Sequence, residues 1–273
     1  MWKVLKTGLI YVFMTLLAAA MLAPFFWMLS TSLKAGSNIF RFPPDWIPRP
    51  AQWSNYKEVW EVVPFLAFAL NSLLLAACVT CGQVFTSAFA AFAFARLDWP
   101  GRDKIFFSYL ATMMIPSAVT MIPLFLLLRW LGWLDSYKAI VIPGIFTAYG
   151  TFMLRQFFLG LPRDLEDAAR IDGCSLWEIF WNVTMPLSKP ALATLGIFTF
   201  LGNWRSFQWP LIVLQSSEKM TLPVGLAYFM GEHSSKWNLL MAGSLMSIIP
   251  LVIVFLLGQK FFVKGIQLGG VKG

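Results

Sequence analysis

Six long stretches of the chain carry almost no charge. Residues 7–33, 62–95, 105–128, 139–154 and 237–259 contain no Asp, Glu, Lys or Arg, and 190–217 contains only Arg205. Their apolar positions run continuously rather than alternating every second residue, which argues against an outer-membrane barrel. A helix needs about 20 apolar residues to cross a bilayer's hydrocarbon core, and the six stretches meet or approach that length. The shortest, 139–154, can be extended by Tyr137 at the interface and by Arg155, whose long stem lets its charge reach water. The pattern predicts an all-α, polytopic membrane protein with six transmembrane helices. Lys3, Lys6 and the alanines 18–20 resemble parts of a signal peptide, but the apolar run continues to Leu33 and is read as a retained first helix.

The polar segments between these stretches set the orientation. With the N-terminus inside, twelve Lys/Arg fall on the inner side and eight on the outer, which favours cytoplasmic termini. Two connections are long. The first, 34–64, holds Pro43, Pro44, Pro48, Pro50 and Pro64 with Trp46, Trp53, Tyr56 and Trp60, an extended backbone with interfacial or docking aromatics. The second, 159–189, lies on the inner side.

Composition narrows the class further. The chain has 273 residues, 58% hydrophobic and only 12% charged, against roughly 25% charged in an average soluble domain. The net charge of +8 fits anionic lipid and inward-facing Lys/Arg rather than nucleic acid. Three cysteines form no disulfide framework, and a single histidine, His233, leaves little for a metal or haem centre. Cys78-Val-Thr-Cys81 lies within an apolar stretch and is read as two small packing residues. Gly82, Ser87 and the alanines at 88, 90, 91, 93 and 95 point to close helix packing.

The inner segment 161–190, LPRDLEDAARIDGCSLWEIFWNVTMPLSKP, reads as two short helices joined at a glycine. Pro162 suits a helix start, and Asp164, Glu166 and Asp167 complement its dipole. Gly173 can end that helix in the left-handed conformation. Ser175 and Glu178 have capping-box spacing, with Cys174 and Ile179 as the staple, and Pro186 ends or bends the second helix. Leu165, Ala168, Ala169 and Asp172 fall near one face, where small side chains allow close approach and acids offer partners to Arg or Lys.

This segment resembles the EAA loop of bacterial ABC importer permeases. Asp167-Ala168-Ala169, Gly173 and Pro186-Leu187 stand at the matching positions, with Asp167 in place of the usual glutamate. The whole chain is similar to the carbohydrate-type subfamily, in particular the second permease of maltose-type importers. FPPDWIP at 42–48 with Asn55-Tyr56, MIPSAVTMIPLF at 114–125, LRQFF at 154–158, WRSFQWPLIVL at 204–214 and FVKGIQLGGVKG at 262–273 carry that resemblance. It departs at Arg205 and Ser206, where the family commonly shows Asn followed by an acid.

The resemblance implies a first helix with its loop (1–66), a five-helix core with the coupling loop 159–189 (67–265) and a C-terminal tail (266–273) in the bacterial cytoplasmic membrane. It implies a second homologous permease, two ATPase subunits holding ATP and Mg, an external solute-binding protein, and alternating access for a sugar or sugar derivative. The tail is expected to reach the ATPases. Glu166, Asp167, Ala168, Ala169, Asp172, Gly173 and Pro186 are the coupling candidates. The chain has no GxxxxGK[ST] phosphate loop, so it is expected to bind no cofactor and to be no enzyme.

Arg205 is the one charge inside a stretch, and such a charge faces protein or a watery cavity. With Asn203, Trp204, Ser206, Gln208 and Trp209 it makes a candidate substrate pathway, since aromatics stack on sugar rings and amides bond hydroxyls. Pro210 is expected to break the helix there. Arg205 as a structural residue, bound to a carbonyl or to the other permease, stands as the equal alternative. A stand-alone secondary transporter or channel is the other functional reading, weakened by the lack of intramembrane Asp or Glu.

Overall fold

The computed structural model describes residues 2–231 and 235–270, and among these the chain is helical without strands. Helix α1 is Trp2–Ser32, α2 Ser54–Val62 and α3 Phe65–Arg96. Helices α4 (Arg102–Ala111) and α5 (Ser117–Trp130) follow, then α6 (Lys138–Gly144) and α7 (Ala148–Leu159). The short helices α8 (Asp164–Ile171), α9 (Leu176–Ile179) and α10 (Met185–Leu187) lead to α11 (Lys189–Trp204) and α12 (Gln208–Val213). Helices α13 (Leu222–Leu226) and α14 (Trp237–Gly270) complete the order.

Every uncharged stretch is largely helical, but only three are single helices. α1, α3 and α14 are each long and apolar enough to cross a bilayer. The stretch 105–128 is a bent pair: α4 with a 3₁₀ turn meets α5 at 98°. Pro116 is the cause, because a residue before proline is pushed out of the helical region, and Ile115 sits at φ −86°, ψ 115°. The stretches 139–154 and 190–217 are each divided between two shorter helices. The second break lies at 205–207, ahead of the expected position. Pro210 falls inside the first turn of α12, where its missing N–H costs no hydrogen bond.

The chain forms two compact units, Met1–Ala67 with Leu222–Ile249, and Phe68–Thr221 with Pro250–Gly273. In the first, Asn55 from α2 clasps the end of α1. Its Nδ2 donates to the carbonyls of Ser32 at 2.8 Å and Lys34 at 2.9 Å, and its Oδ1 accepts from Asn238 at 3.0 Å. Over its most apolar stretch no residue of α1 is buried by the described residues.

In the second unit α3 is the central post. Ala88, Ala91, Phe92 and Ala95 pack with Leu154 and Phe158 of α7, Ile179 and Phe180, and Ala191 and Leu195 of α11. The small residues therefore do pack closely, as their spacing predicts. Cys78 and Cys81 do not: both are free thiols on an exposed face of α3. The α6–α7 break is held by the same post. Gly82 lies so close to Ile145 that a Cβ has no room. Gln83 Nε2 donates to the Gly144 carbonyl at 2.7 Å, and Thr86 Oγ1 to the Ile145 carbonyl at 2.5 Å. These are carbonyls that a broken helix leaves without an i+4 donor, and irregular backbone at membrane depth persists only where protein satisfies it.

Candidate functional site

The loop between α7 and α11 is built by local rules. Gly173 has φ +84°, which favours glycine, and its N–H donates to Arg170 O while that of Cys174 donates to Ala169 O, at 3.0 and 2.9 Å. This paired return is the Schellman cap that closes α8. Ser175 then opens α9 with the expected capping box: Glu178 N donates to Ser175 Oγ at 3.3 Å, and Ser175 N to Glu178 Oε2 at 2.7 Å. The Ser175 N–H, together with the Ser175 hydroxyl, holds the Glu178 carboxyl below its usual range. Ahead of Pro186 the helix widens into a π segment over Phe180–Thr184. Pro186 has no N–H for an ordinary helical bond to Asn182.

The coupling candidates divide between two faces of α8. Asp164, Leu165, Asp167, Ala168 and Ile171 are exposed, as are Asp172 and Gly173 beyond the helix end. Glu166 and Ala169 point the other way. Ala169 packs against the α3–α7 core, so its small size serves the chain's own packing rather than an open face. Glu166 is 4% exposed and meets Arg96, the last residue of α3, at 2.8 Å. Arg96 also donates to the Leu161 carbonyl at 3.0 Å. Asp167 pairs on the surface with Arg170 at 3.0 Å. Pro186 is exposed but stands apart in α10. Arg155, expected to reach toward water, instead donates to Phe94 O at 3.1 Å and lies 4.1 Å over the Phe106 ring.

The six pathway candidates also separate. Asn203, Ser206, Gln208 and Trp209 line one cavity of about 270 Å³. Its other walls include Ser117, Thr120 and Met121 of α5 with Pro143 and Gly144 of α6. Trp209 Nε1 donates to the Ala139 carbonyl at 3.1 Å and fixes α12 against α6. A chain of bonds runs behind the cavity: Gly144 O accepts from Gln83, Gln83 Oε1 from Thr199 at 3.0 Å, and Thr199 O from Asn203 at 2.9 Å. Trp204 is buried away from the cavity and stacks on Phe200 at 6.0 Å. Arg205 turns into a separate groove with Leu201, Leu251, Val252 and Phe255.

Sequence reasoning missed three contributors. Ser117 and Thr120 were signalled by the Ile115-Pro116 break and its hydroxyls. Arg96 counted only as an inward charge. The third is a latch that joins Asp135 to residues 215–219 beside Asn71 of α3. Asp135, at φ 53°, accepts from the Gln215 and Ser216 amides at 2.9 Å each, from Ser216 Oγ, and from Lys219 Nζ at 2.9 Å. Asn71 donates to the Glu218 carbonyl at 2.7 Å and accepts from Tyr137 OH at 2.8 Å. The donors hold the Asp135 carboxyl far below the usual carboxylate range. His233 and residues 271–273 lie outside the described residues. Of the tail candidate 262–273 only the helical backbone to Gly270 is described. Among the described residues no group of three or more His, Cys, Asp or Glu is placed to hold a metal.

Residues 83–268 match the family described as "Binding-protein-dependent transport system inner membrane component". The chain is 38% identical over 264 residues to the arabinooligosaccharides transport system permease protein AraQ of Bacillus subtilis, covering 96% of this chain and 94% of that one. It is 34% identical over 238 residues to the sn-glycerol-3-phosphate transport system permease protein UgpE of Yersinia pestis, covering 84% and 85%. Among solved structures it is similar to a chain of a bacterial ABC transporter involved in the import of the acidic polysaccharide alginate. That match has TM-score 0.83 and 27% identity, with 93% and 95% covered. A chain of the alginate transporter in complex with a pentasaccharide-bound periplasmic protein shares the fold, at TM-score 0.69 and 13% identity over 94% and 95%.

Proposed function

From the premise that this chain belongs to the family of binding-protein-dependent inner-membrane transport components, and is a permease of the sugar-importing ABC kind, we propose how it is driven. The exposed face of α8 docks on a separate ATPase, two copies of which hold ATP and Mg. A second permease completes the pore, and a binding protein delivers solute from outside. Both termini lie in the cytoplasm. The observation that carries this reading is the two-faced α8, with acids and Ala168 outward and Glu166 anchored to Arg96 within.

The mechanics follow from the contacts. A displacement of α8 moves Glu166 and therefore Arg96 at the end of α3. α3 grips the α6–α7 break through Gln83 and Thr86, and Gln83 also meets Thr199 of α11. The cavity walls thus move with the loop. Broken helices suit such a two-state element, because their short halves change angle without unwinding. The cavity presents the amides of Asn203 and Gln208 and the hydroxyls of Ser117, Thr120 and Ser206 beside Trp209. This set suits a polyhydroxylated solute: apolar ring faces against the indole, hydroxyls to amides. The relatives' named solutes, arabinooligosaccharides and sn-glycerol-3-phosphate, support a sugar or sugar derivative, neutral or anionic, as its solute.

The test is purification of the chain from its membrane with uptake measured in vesicles. An ATPase and a second permease are expected to accompany it, and uptake is expected to need ATP. Gly173→Pro, which locks φ near −65° where +84° is required, is expected to leave the chain inserted and abolish uptake. A partner-free chain that transports by itself overturns the reading.

A further inference from the structure

Arg205 caps the end of α11, and its side chain leaves the solute cavity behind. Its Nε donates to the Leu201 carbonyl at 3.1 Å, and the guanidinium is exposed in a groove of about 240 Å³. The other walls are Leu201 and, from α14, Leu251, Val252 and Phe255. Among the described residues no carboxylate lines this groove.

Depth makes this arrangement costly. The apolar window of α14 is Trp237–Lys260, 24 residues. Leu251 lies roughly 21 Å along the helix from Trp237 and roughly 14 Å from Lys260, at 1.5 Å per residue. One and a half turns below Arg205, Thr199 meets Gln83, near the middle of α3. The guanidinium therefore stands deep in the apolar layer, where an arginine costs at least ~2.5 kcal/mol on insertion scales and does not face lipid tails.

We infer that this groove receives an apolar transmembrane helix of the second permease, which brings one carboxylate to Arg205. The inference rests on the permease reading above. Hydrocarbon walls and a single cation match an apolar helix with one acid. A polyhydroxylated solute finds here one donor and no amide or hydroxyl side chain, all of which lie in the other cavity. The planar guanidinium suits two-point capture of a carboxylate. The occupant is not another copy of this chain, because none of its uncharged stretches holds an Asp or Glu. The pairing is therefore between unlike subunits, and Arg205 enforces it by the energy of an unpaired buried charge.

The test uses the assembled complex with Arg205 intact and the photo-crosslinking residue benzoylphenylalanine at position 251 or 255. Both are expected to link to the second permease, on a peptide that contains an Asp or Glu. Arg205→Glu is expected to lower recovery of the second permease at least tenfold, and replacing that acid by Lys is expected to restore it. Links only to lipid or to another copy of this chain overturn the inference. So does an Arg205→Gln complex that assembles normally but changes its preference for anionic solutes. Failure of the permease reading looks different: the unaltered chain then purifies with neither a second permease nor an ATPase.

Discussion

The turn at 173–178 is closed by groups no more than five residues apart, whereas the walls around 203–209 are set by groups far off in the chain. Cys174 returns to Ala169 and Glu178 to Ser175. Trp209 reaches Ala139, 70 residues away, and Thr199, one turn before Asn203, meets Gln83 across 116. The first region is a local structure displaying an outward face. The second is a meeting of elements, and its side chains take their directions from whichever element each one finds. Neighbours in sequence can therefore serve different ends: Asn203, Trp204 and Arg205 point into a cavity, a stack and a groove.

The contrast can be tested from its strongest member downward. Glu166 is the exception in the local region, because its partner lies on α3. Removing one member of a buried ion pair costs about 3–5 kcal/mol, so Glu166→Ala is expected to unfold at a clearly lower temperature in detergent and to lose uptake. The double change Arg96→Met with Glu166→Leu is expected to recover the folded state but not transport. A single variant that melts with the unaltered chain removes the strut. Next is Asp135→Asn, which loses charge-assisted bonds worth about 2 kcal/mol. Because folding depresses the Asp135 pKa, its contribution is fully present above the ordinary carboxylate range, near pH 4, and fades as pH falls toward the lower folded value. The gap in melting temperature between the two forms is therefore expected to narrow below about pH 4.

In the cavity, Asn203→Leu and Ser206→Val are expected to raise the uptake KM about tenfold, roughly 1.4 kcal/mol, with little change in melting. The same change in KM from Trp204→Phe, which keeps the stack with Phe200, contradicts the division of the cluster. Smallest is Ser175→Ala, which removes a cap worth about 1 kcal/mol and leaves the solute preference untouched. Melting curves measure it directly.

The same contrast explains what the sequence disclosed. Gly173, Ser175 and Glu178 spell their geometry within a few residues, so the turn from α8 into α9 was legible, whereas the π segment over Phe180–Thr184 and the loop's inward face were not. Nothing in the spacing of Asp167-Ala168-Ala169 shows that Ala169 packs inward, since both alanines suit either face. The helical stretches were legible from missing charge, but their breaks were not, although Ile115-Pro116 and Pro143-Gly144 mark two of them. An uncharged run reports apolar surroundings, and it reports them equally for one helix or two. Pro210 misplaced the third break because a proline in the first turn of a helix is harmless. The Asp135 latch left no local signal, because its partners lie 80 or more residues away.

The grip of α3 on the α6–α7 break also bears on how the protein is made. Gly144 and Ile145 carry carbonyls that hydrocarbon cannot satisfy, and the groups that satisfy them, Gln83 and Thr86, lie about 60 residues earlier. Synthesis runs from the N-terminus, so α3 reaches the membrane first and the divided helix arrives to find its hydrogen-bond donors already in place. Thr199, whose bond Gln83 accepts, follows later still. The order of residues along the chain is thus also a workable order of insertion for this divided helix, which enters only after the helix that makes it tolerable.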